Sequence, residues 1–285
     1  MAERLADIVA QIQNVRQLEM VVTAMRGIAA SRAQQARSLL AGIRAYTEVI
    51  SGAISEALSL MPPDASAKVR SRSPRRGLIL FCAEQGFAGA FSERVLDAAA
   101  RDLEGAIIFL AGTRGVAIAE ERGIRPTWHA PMVTHIGAIS SLANRVADAL
   151  YERVADGTVV DVDVVFSHSR PGGAIVIDRY SLLPIDLNRF ARPGRNQAPL
   201  ITVTPWVLLE RLASEHVYAQ LCEAAMRAFA AENEARMMAM TAAKTNIESK
   251  LVGLCRREHQ LRQEEITTEI IELAAGAEGT VGNRA

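Results

Sequence analysis

Near the start of the chain, apolar side chains recur in steps of three and four: Leu5, Ile8, Ile12, Val15, Leu18, Val22, Met25 and Ala29. That spacing is one face of a helix and lies close to a coiled-coil seam. The stripe resumes at Leu39, Ile43, Tyr46, Ile50, Ile54 and Leu58, and no proline precedes the "MPP" that begins at Met61. The pattern predicts a single N-terminal coiled-coil helix over 1–61. Gly27, Gly42 and Gly52 each weaken it by roughly 1 kcal/mol relative to alanine, so packing rather than propensity has to hold it. A second such pattern closes the sequence. Thr204 before Pro205 is a helix start, a capping hydroxyl ahead of a proline at the first helical position. From Trp206 onward there is no proline, and Ile247, Leu251, Leu254, Leu261, Ile266, Ile270 and Leu273 keep the same spacing. This predicts a C-terminal coiled-coil helix over 205–275. Ordinary globular helices run about 8–20 residues, so both are rods.

Between them the period changes. "GLILFCA" (77–83) and "GAIIFLAG" (105–112) read as buried strands, with a helix in "FSERVLDAAARDLE" (91–104). Helical "RGVAIAEERG", extended "IRPTWHA" and helical "GAISSLANRVADALYERVADG" follow, then strands in "TVVDVDVVFSHS" and "GAIVIDRYSLLPI". Strands alternating with helices imply a parallel or mixed sheet covered by helices. The expected fold is α/β: a long antiparallel coiled coil of the terminal helices with a small α/β domain, 77–204, inserted between them. Pairing would bury both seams at once, so the C-terminal helix is expected to press first on the N-terminal helix of its own chain.

Charge supports the pairing. The formal net charge is zero, but residues 1–76 hold 11 basic and 6 acidic residues while 205–285 hold 9 and 12. Net neutrality gives no general pull toward nucleic acid or anionic membrane. The basic joint "DASAKVRSRSPRRG" (64–77) has no interleaved aromatics and reads as a solvated linker. No apolar run reaches the ~20 residues needed to span a bilayer. Cys82, Cys222 and Cys255 are odd in number and contain no CxxC, which fits neither a disulfide framework nor a zinc site.

Candidate chemistry is thin. "FCAEQGFAGAF" sits where a dinucleotide loop would, yet it has no GxGxxG, and GxxxxGK[ST] occurs nowhere. Ser167, His168 and Ser169 end a strand, where neighbours point to opposite faces, and no GxSxG elbow is present. The five histidines show no ligand spacing; His216 and His259 read as solvated residues of the C-terminal helix. Met237, Met238 and Met240 serve equally as core filler or as an adaptable surface. One pattern is less ordinary: between Glu19 and Glu48 lie Arg26, Arg32, Arg37 and Arg44 without an acidic residue. A one-sign stretch on a rod suggests an acidic partner surface.

Several of these segments resemble a known family. "ENEARMMAMTAAKTN" (232–246) and "LRQEEITTEIIEL" (261–273) are similar to "SEHAARMxAMxAATDN" and "ARQAxITQELTEI" of the gamma subunit, the central rotor shaft, of F-type rotary ATP synthases. "VTAMRGIAASR" (22–32) resembles that family's "TKAMxMVAASK", and "FCAEQGFAGAFSERV" its "xxSDRGLCGGLNxxV". The resemblance spans nearly the whole chain, in order. It implies a non-catalytic central-stalk rotor subunit of a proton- or sodium-translocating complex, whose coiled coil threads the alpha and beta subunits of the catalytic hexamer while the small Rossmann-like domain rests on the c-ring beside the epsilon subunit. No cofactor and no nucleic acid are implied. Membrane contact is expected only through partners, at the cytoplasmic face of the bacterial inner membrane. Carried over by motif, Met25 and Arg26 meet the acidic loop of beta, with Arg32 and Arg37 continuing the basic run, and Arg262, Gln263, Thr267 and Glu269 lie where the shaft is gripped. The sequence departs from the pattern at Thr23, at Gly27, in "AEQG" (83–86) and in "GFAGAFS" (86–92). A coiled-coil scaffold or adaptor carrying an α/β domain is the competing reading, and an α/β enzyme with helical arms a third.

Overall fold

A computed structural model describes residues 2–61, 75–170, 172–190 and 200–281, without the side chains of 2, 3, 272 and 274–281. The joint read at 64–77, apart from 75–77, and most of the loop around Pro193, Gly194 and Pro199 lie outside the described residues. In chain order the elements are α1 (Ala2–Ser59), β1 (Arg76–Phe81), α2 (Phe91–Ala99), β2 (Ile107–Ala111), α3 (Thr113–Glu121), β3 (Trp128–Ala130), α4 (Ile139–Ala155), β4 (Asp161–Ser169), β5 (Ile175–Leu183) and α5 (Pro205–Val281). The terminal helices run 58 and 77 residues. Each segment read as a strand or helix between them is one, and α5 begins at the proline that announced it.

The chain divides into two compact units, 29–236 and a second made of 1–28 with 237–285. The larger unit holds a five-stranded mixed sheet in the order β3-β2-β1-β4-β5, parallel except for the β4–β5 pair. Side chains alternate across it as the pleat requires. Ile79, Phe81, Ile107, Phe109, Val162, Val164 and Phe166 point to one face, against α4 and the stretch of α5 from Val217 to Ala230. Leu78, Leu80, Cys82, Ile108, Leu110 and Val165 point to the other, against α2 and α3. Both faces are covered, which explains why β1 and β2 are continuous apolar runs rather than alternating ones. Ala36 of α1 reaches the first face, with Leu40 and Ile43 half-buried beside it.

Within the larger unit α1 and α5 run antiparallel, because successive cross-helix contacts move in opposite directions along the chain. Arg37 bonds Glu234, Arg44 approaches Glu223 at 3.6 Å, and the Tyr46 hydroxyl donates to Glu215. The charge complementarity of the two ends is thus realised as specific pairs. In the smaller unit Val15 and Val22 pack with Met240 and Ile247, flanked by Met25, Ala243, Leu251 and Leu254.

The seam differs from the stripe expected from the sequence. Leu18 and Leu39 are 52% and 49% exposed, and the buried track of α1 passes through Ile12, Val15, Val22, Ala29, Ala33 and Ala36. Those positions follow a 3.5-residue repeat, which keeps one edge toward a partner helix, whereas the expected stripe leaves that edge at Leu18 and Leu39. Among the described side chains of α5 the last buried one is Leu261; Ile266, Ile270 and Leu273, expected in the seam, are 49%, 61% and 75% exposed. The intramolecular pairing stops short of them.

Candidate functional site

The carboxyl ends of the parallel strands are where an α/β fold binds phosphates or nucleotides, at the turn leading into a helix. Here that turn is filled from within. Glu84, just beyond β1, accepts hydrogen bonds from Thr113 N at 3.0 Å, Thr113 Oγ1 at 2.9 Å and Met132 N at 2.7 Å. It thereby caps α3 from another loop, satisfying N–H groups that a helix start leaves open. Gly112 and Gly115 make this approach possible: a Cβ at Gly112 would lie 2.5 Å from Cys82 O, and one at Gly115 2.1 Å from the Cys82 Cβ. The glycines of "FCAEQGFAGAF" draw attention in the sequence, whereas this second pair is signalled only by the "GTRG" that follows β2.

The next turn of the loop is held by α5. Arg236 donates to Gly86 O and Gln85 O, each at 3.2 Å, and to Glu232, while Gln85 N donates to Glu232 at 3.4 Å. Glu232, Asn233, Glu234 and Arg236 are all buried. Burial pushes the Glu232 carboxyl above its ordinary range, partly offset by Arg236. Two carboxylates, Glu84 and Glu232, therefore stand where an anionic ligand would need donors. Phe87, in this loop, takes a left-handed backbone with φ 62 and is 67% exposed.

The polar end of β4 does not assemble a nucleophile. Ser167 Oγ is buried without a hydrogen-bond partner, and His168 Nδ1 comes no closer than 3.8 Å to Asp178. His216 corrects its reading as a solvated residue: it is 6% exposed, its ring meets Phe190 edge-on at 5.4 Å, and its Nε2 lies 2.7 Å from Gln220 Nε2. Leu209, two turns back on α5, is buried in a cluster that Phe190 also packs against, so this side of the helix faces inward. His259 is exposed as expected. Cys82, Cys222 and Cys255 are free; burial pushes the Cys82 thiol up to about 12, so it is inert as a nucleophile. Among the described residues no cluster of His, Cys, Asp or Glu is placed to hold a metal, and no helix is long and apolar enough to cross a membrane.

The residues singled out as contact sites fall on the helix faces. Met25 and Arg26 are half-buried, Met25 packing with the Val15–Val22–Met240–Ile247 cluster. Arg26 and Arg32 carry no ion pair among the described residues. Arg37 differs: its Nε and Nη2 both donate to the buried Glu234, and Arg44 leans on Glu223. Half of the one-sign stretch thus meets its acidic partner inside the chain, on α5. Arg262 pairs with Glu258 at 2.7 Å one turn back, and the Thr267 hydroxyl donates to Gln263 O at 2.8 Å. Arg262, Gln263, Thr267 and Glu269 are all exposed. They share a stretch of α5 with the exposed Ile266, Ile270, Ile271 and Leu273, about 22 Å along the helix from Ile247, which packs near Met25.

A family model described as "ATP synthase" matches residues 4–279. The ATP synthase gamma chain of Bdellovibrio bacteriovorus is 25% identical over 98% of this chain and 99% of its own length, and that of Chlorobium chlorochromatii is 26% identical over the same shares. The fold is shared with the rotor of the Euglena gracilis mitochondrial ATP synthase, with a TM-score of 0.64 at 11% identity over 93% of this chain and all of that one. A chain of the central stalk and c-ring of the Tetrahymena thermophila enzyme gives 0.55 at 14% identity, over 78% of this chain and 99% of that one. Since the match runs from end to end and includes both rods as well as the inserted sheet, the chain belongs to the ATP synthase gamma-chain family.

Proposed function

We infer that this chain is the central-stalk rotor subunit of an F-type ATP synthase, coupling the turning of a c-ring to conformational cycling of an alpha/beta hexamer. The observation that carries the reading is the end of α5. Past Leu261 the helix continues with Ile266, Ile270, Ile271 and Leu273 exposed and Arg262, Gln263, Thr267 and Glu269 beside them. A contiguous apolar ladder in water calls for cover by another chain, and the adjacent guanidinium and amide groups suit directional bonds to it. The beta subunit in its three conformations is that chain, and unequal contact with them is what lets rotation bias them. Met25, Arg26 and Arg32 form the second contact on α1, joined by Arg37 through the part of its guanidinium that Glu234 leaves open.

The subunit itself is non-catalytic. What supports this is the filled turn after β1, where the Glu84 carboxylate and the Glu232–Arg236 pair occupy the place of a phosphate, together with the missing phosphate loop. The epsilon subunit and the c-ring are the partners of the α/β part. The chain is peripheral, at the cytoplasmic face of a bacterial inner membrane, touching the bilayer only through partners; its gamma-chain relatives from bacteria support that placement.

The test uses reconstituted complexes at matched subunit stoichiometry. Replacing Arg262 and Gln263 together by Ala is expected to lower both ATP hydrolysis and ATP synthesis about 2–10-fold, the rate equivalent of about 0.5–1.5 kcal/mol, with assembly intact. Unchanged rates in both directions would remove the grip from this stretch. Hydrolysis by the isolated chain at about 1 per second or faster would overturn the non-catalytic reading.

A further inference from the structure

A cavity of about 450 Å³ opens between α1, α5 and the β4–β5 turn, entirely within 29–236. Arg37, Arg44, Arg170 and Arg227 line it with His168, against one carboxylate, Glu234. Glu234 is already taken by Arg37. Glu223, outside the lining, is shared between Arg227 and the more distant Arg44. Asp178 faces His168 at 3.8 Å, so four guanidiniums stand against three carboxylates and one positive charge is left uncompensated. Arg170 has no ion pair among the described residues. Arg227 Nε and His168 Nδ1 are buried without a hydrogen-bond partner. Both atoms are sealed from solvent, so the groups free to meet a ligand are the exposed guanidiniums of Arg44 and Arg170. Gly172 and Gly173, at φ 97 and 83, line it from the β4–β5 turn.

We propose that this cavity binds a compact polyphosphate group, either inorganic pyrophosphate or the phosphate chain of a nucleotide. Its volume falls within the ~300–1,000 Å³ of small-molecule sites. Guanidinium forks match phosphate oxygens in pairs, and Arg170 and Arg44 approach from two different elements, the β4–β5 turn and α1. Such convergence holds a small anion with several oxygens. The site is separate from the turn after β1, where carboxylates exclude anions, and does not rest on the rotor reading.

Calorimetric titration of the purified full-length chain with pyrophosphate, and separately with ATP, in about 0.1 M salt tests it. One saturable site is expected, weakened at least about fivefold by Arg170→Ala and less by Arg170→Lys, because the lysine keeps charge but loses the fork. Arg125→Ala, an exposed arginine outside the cavity, leaves affinity unchanged. Tighter binding of ATP assigns the site to a nucleotide, and equal or weaker binding assigns it to the phosphate chain alone. Absence of saturation up to about 10 mM of either ligand, or the same affinity in Arg170→Ala as in the unaltered chain, overturns the proposal.

Discussion

His216 illustrates how a residue of ordinary appearance acquires a pH response. Nothing in "ASEHVYAQ" marks it as buried, and its ring lies out of water with Phe190 edge-on against it. Burial lowers its pKa below the ordinary 6.5. The unfolded chain then binds a proton near that pH that the folded chain resists, so stability is lost as pH falls below about 6.5 toward the lowered value. His168, lowered chiefly by burial with Asp178 opposing, acts in the same direction. Melting temperature is expected to drop by a few °C between pH 7 and 5.5, and His216→Gln should flatten part of that drop, since Gln carries no proton to resist. A pH profile identical for the variant and the unaltered chain would place the effect elsewhere.

At the scale of the element, the helices separate two kinds of apolar residue that the sequence does not distinguish. Val22 is 6% exposed in the seam, whereas Leu273 is 75% exposed although it obeys the same spacing. Val22→Ala removes two buried carbons and leaves a void, so it should destabilise the isolated chain by about 2 kcal/mol. Leu273→Ala should change it by less than about 0.5 kcal/mol. Urea unfolding followed by helical circular dichroism measures both. Equal losses would mean that the last turns of α5 are covered within the chain after all. Ala33 and Ala36 belong to the same lesson: 3% and 0% exposed, they continue the track beyond Ala29, where the stripe read from the sequence jumps to Leu39. Their 3.5-residue spacing was the available signal.

For the molecule as a whole, the larger unit depends on a polar latch as well as on its two apolar layers. Arg236 and Glu232 of α5 fasten the turn after β1, a contact across 150 residues of sequence. Arg236→Ala leaves the Glu232 carboxylate buried and two loop carbonyls without their donor, so a loss of about 3–5 kcal/mol is expected. Replacing both members by apolar residues of similar volume, Glu232→Leu with Arg236→Met, should recover most of it, because no charge is then stranded. Calorimetric melting of the three proteins decides this; a double variant as unstable as Arg236→Ala would show that the loop contacts, rather than the charge balance, hold the turn.

Much of the architecture was legible in the chain itself. Proline-free stretches with three-and-four spacing specify long helices, Thr204–Pro205 marks where α5 begins, and the apolar runs at 77–83 and 105–112 specify strands covered on both faces, since each of these signals is local. Motifs at both ends carried the family. Pairing was decided only in three dimensions. Which edge of α1 faces α5, how far α5 runs beyond its partner, and that Arg37 and Arg44 meet Glu234 and Glu223 all depend on register between segments almost 200 residues apart. The same holds for the candidate sites: Arg262 and its neighbours could be named from their motif, but the gathering of Arg44, Arg170 and Arg227 around one cavity could not, because no periodicity along a chain records which residues from separate elements converge in space.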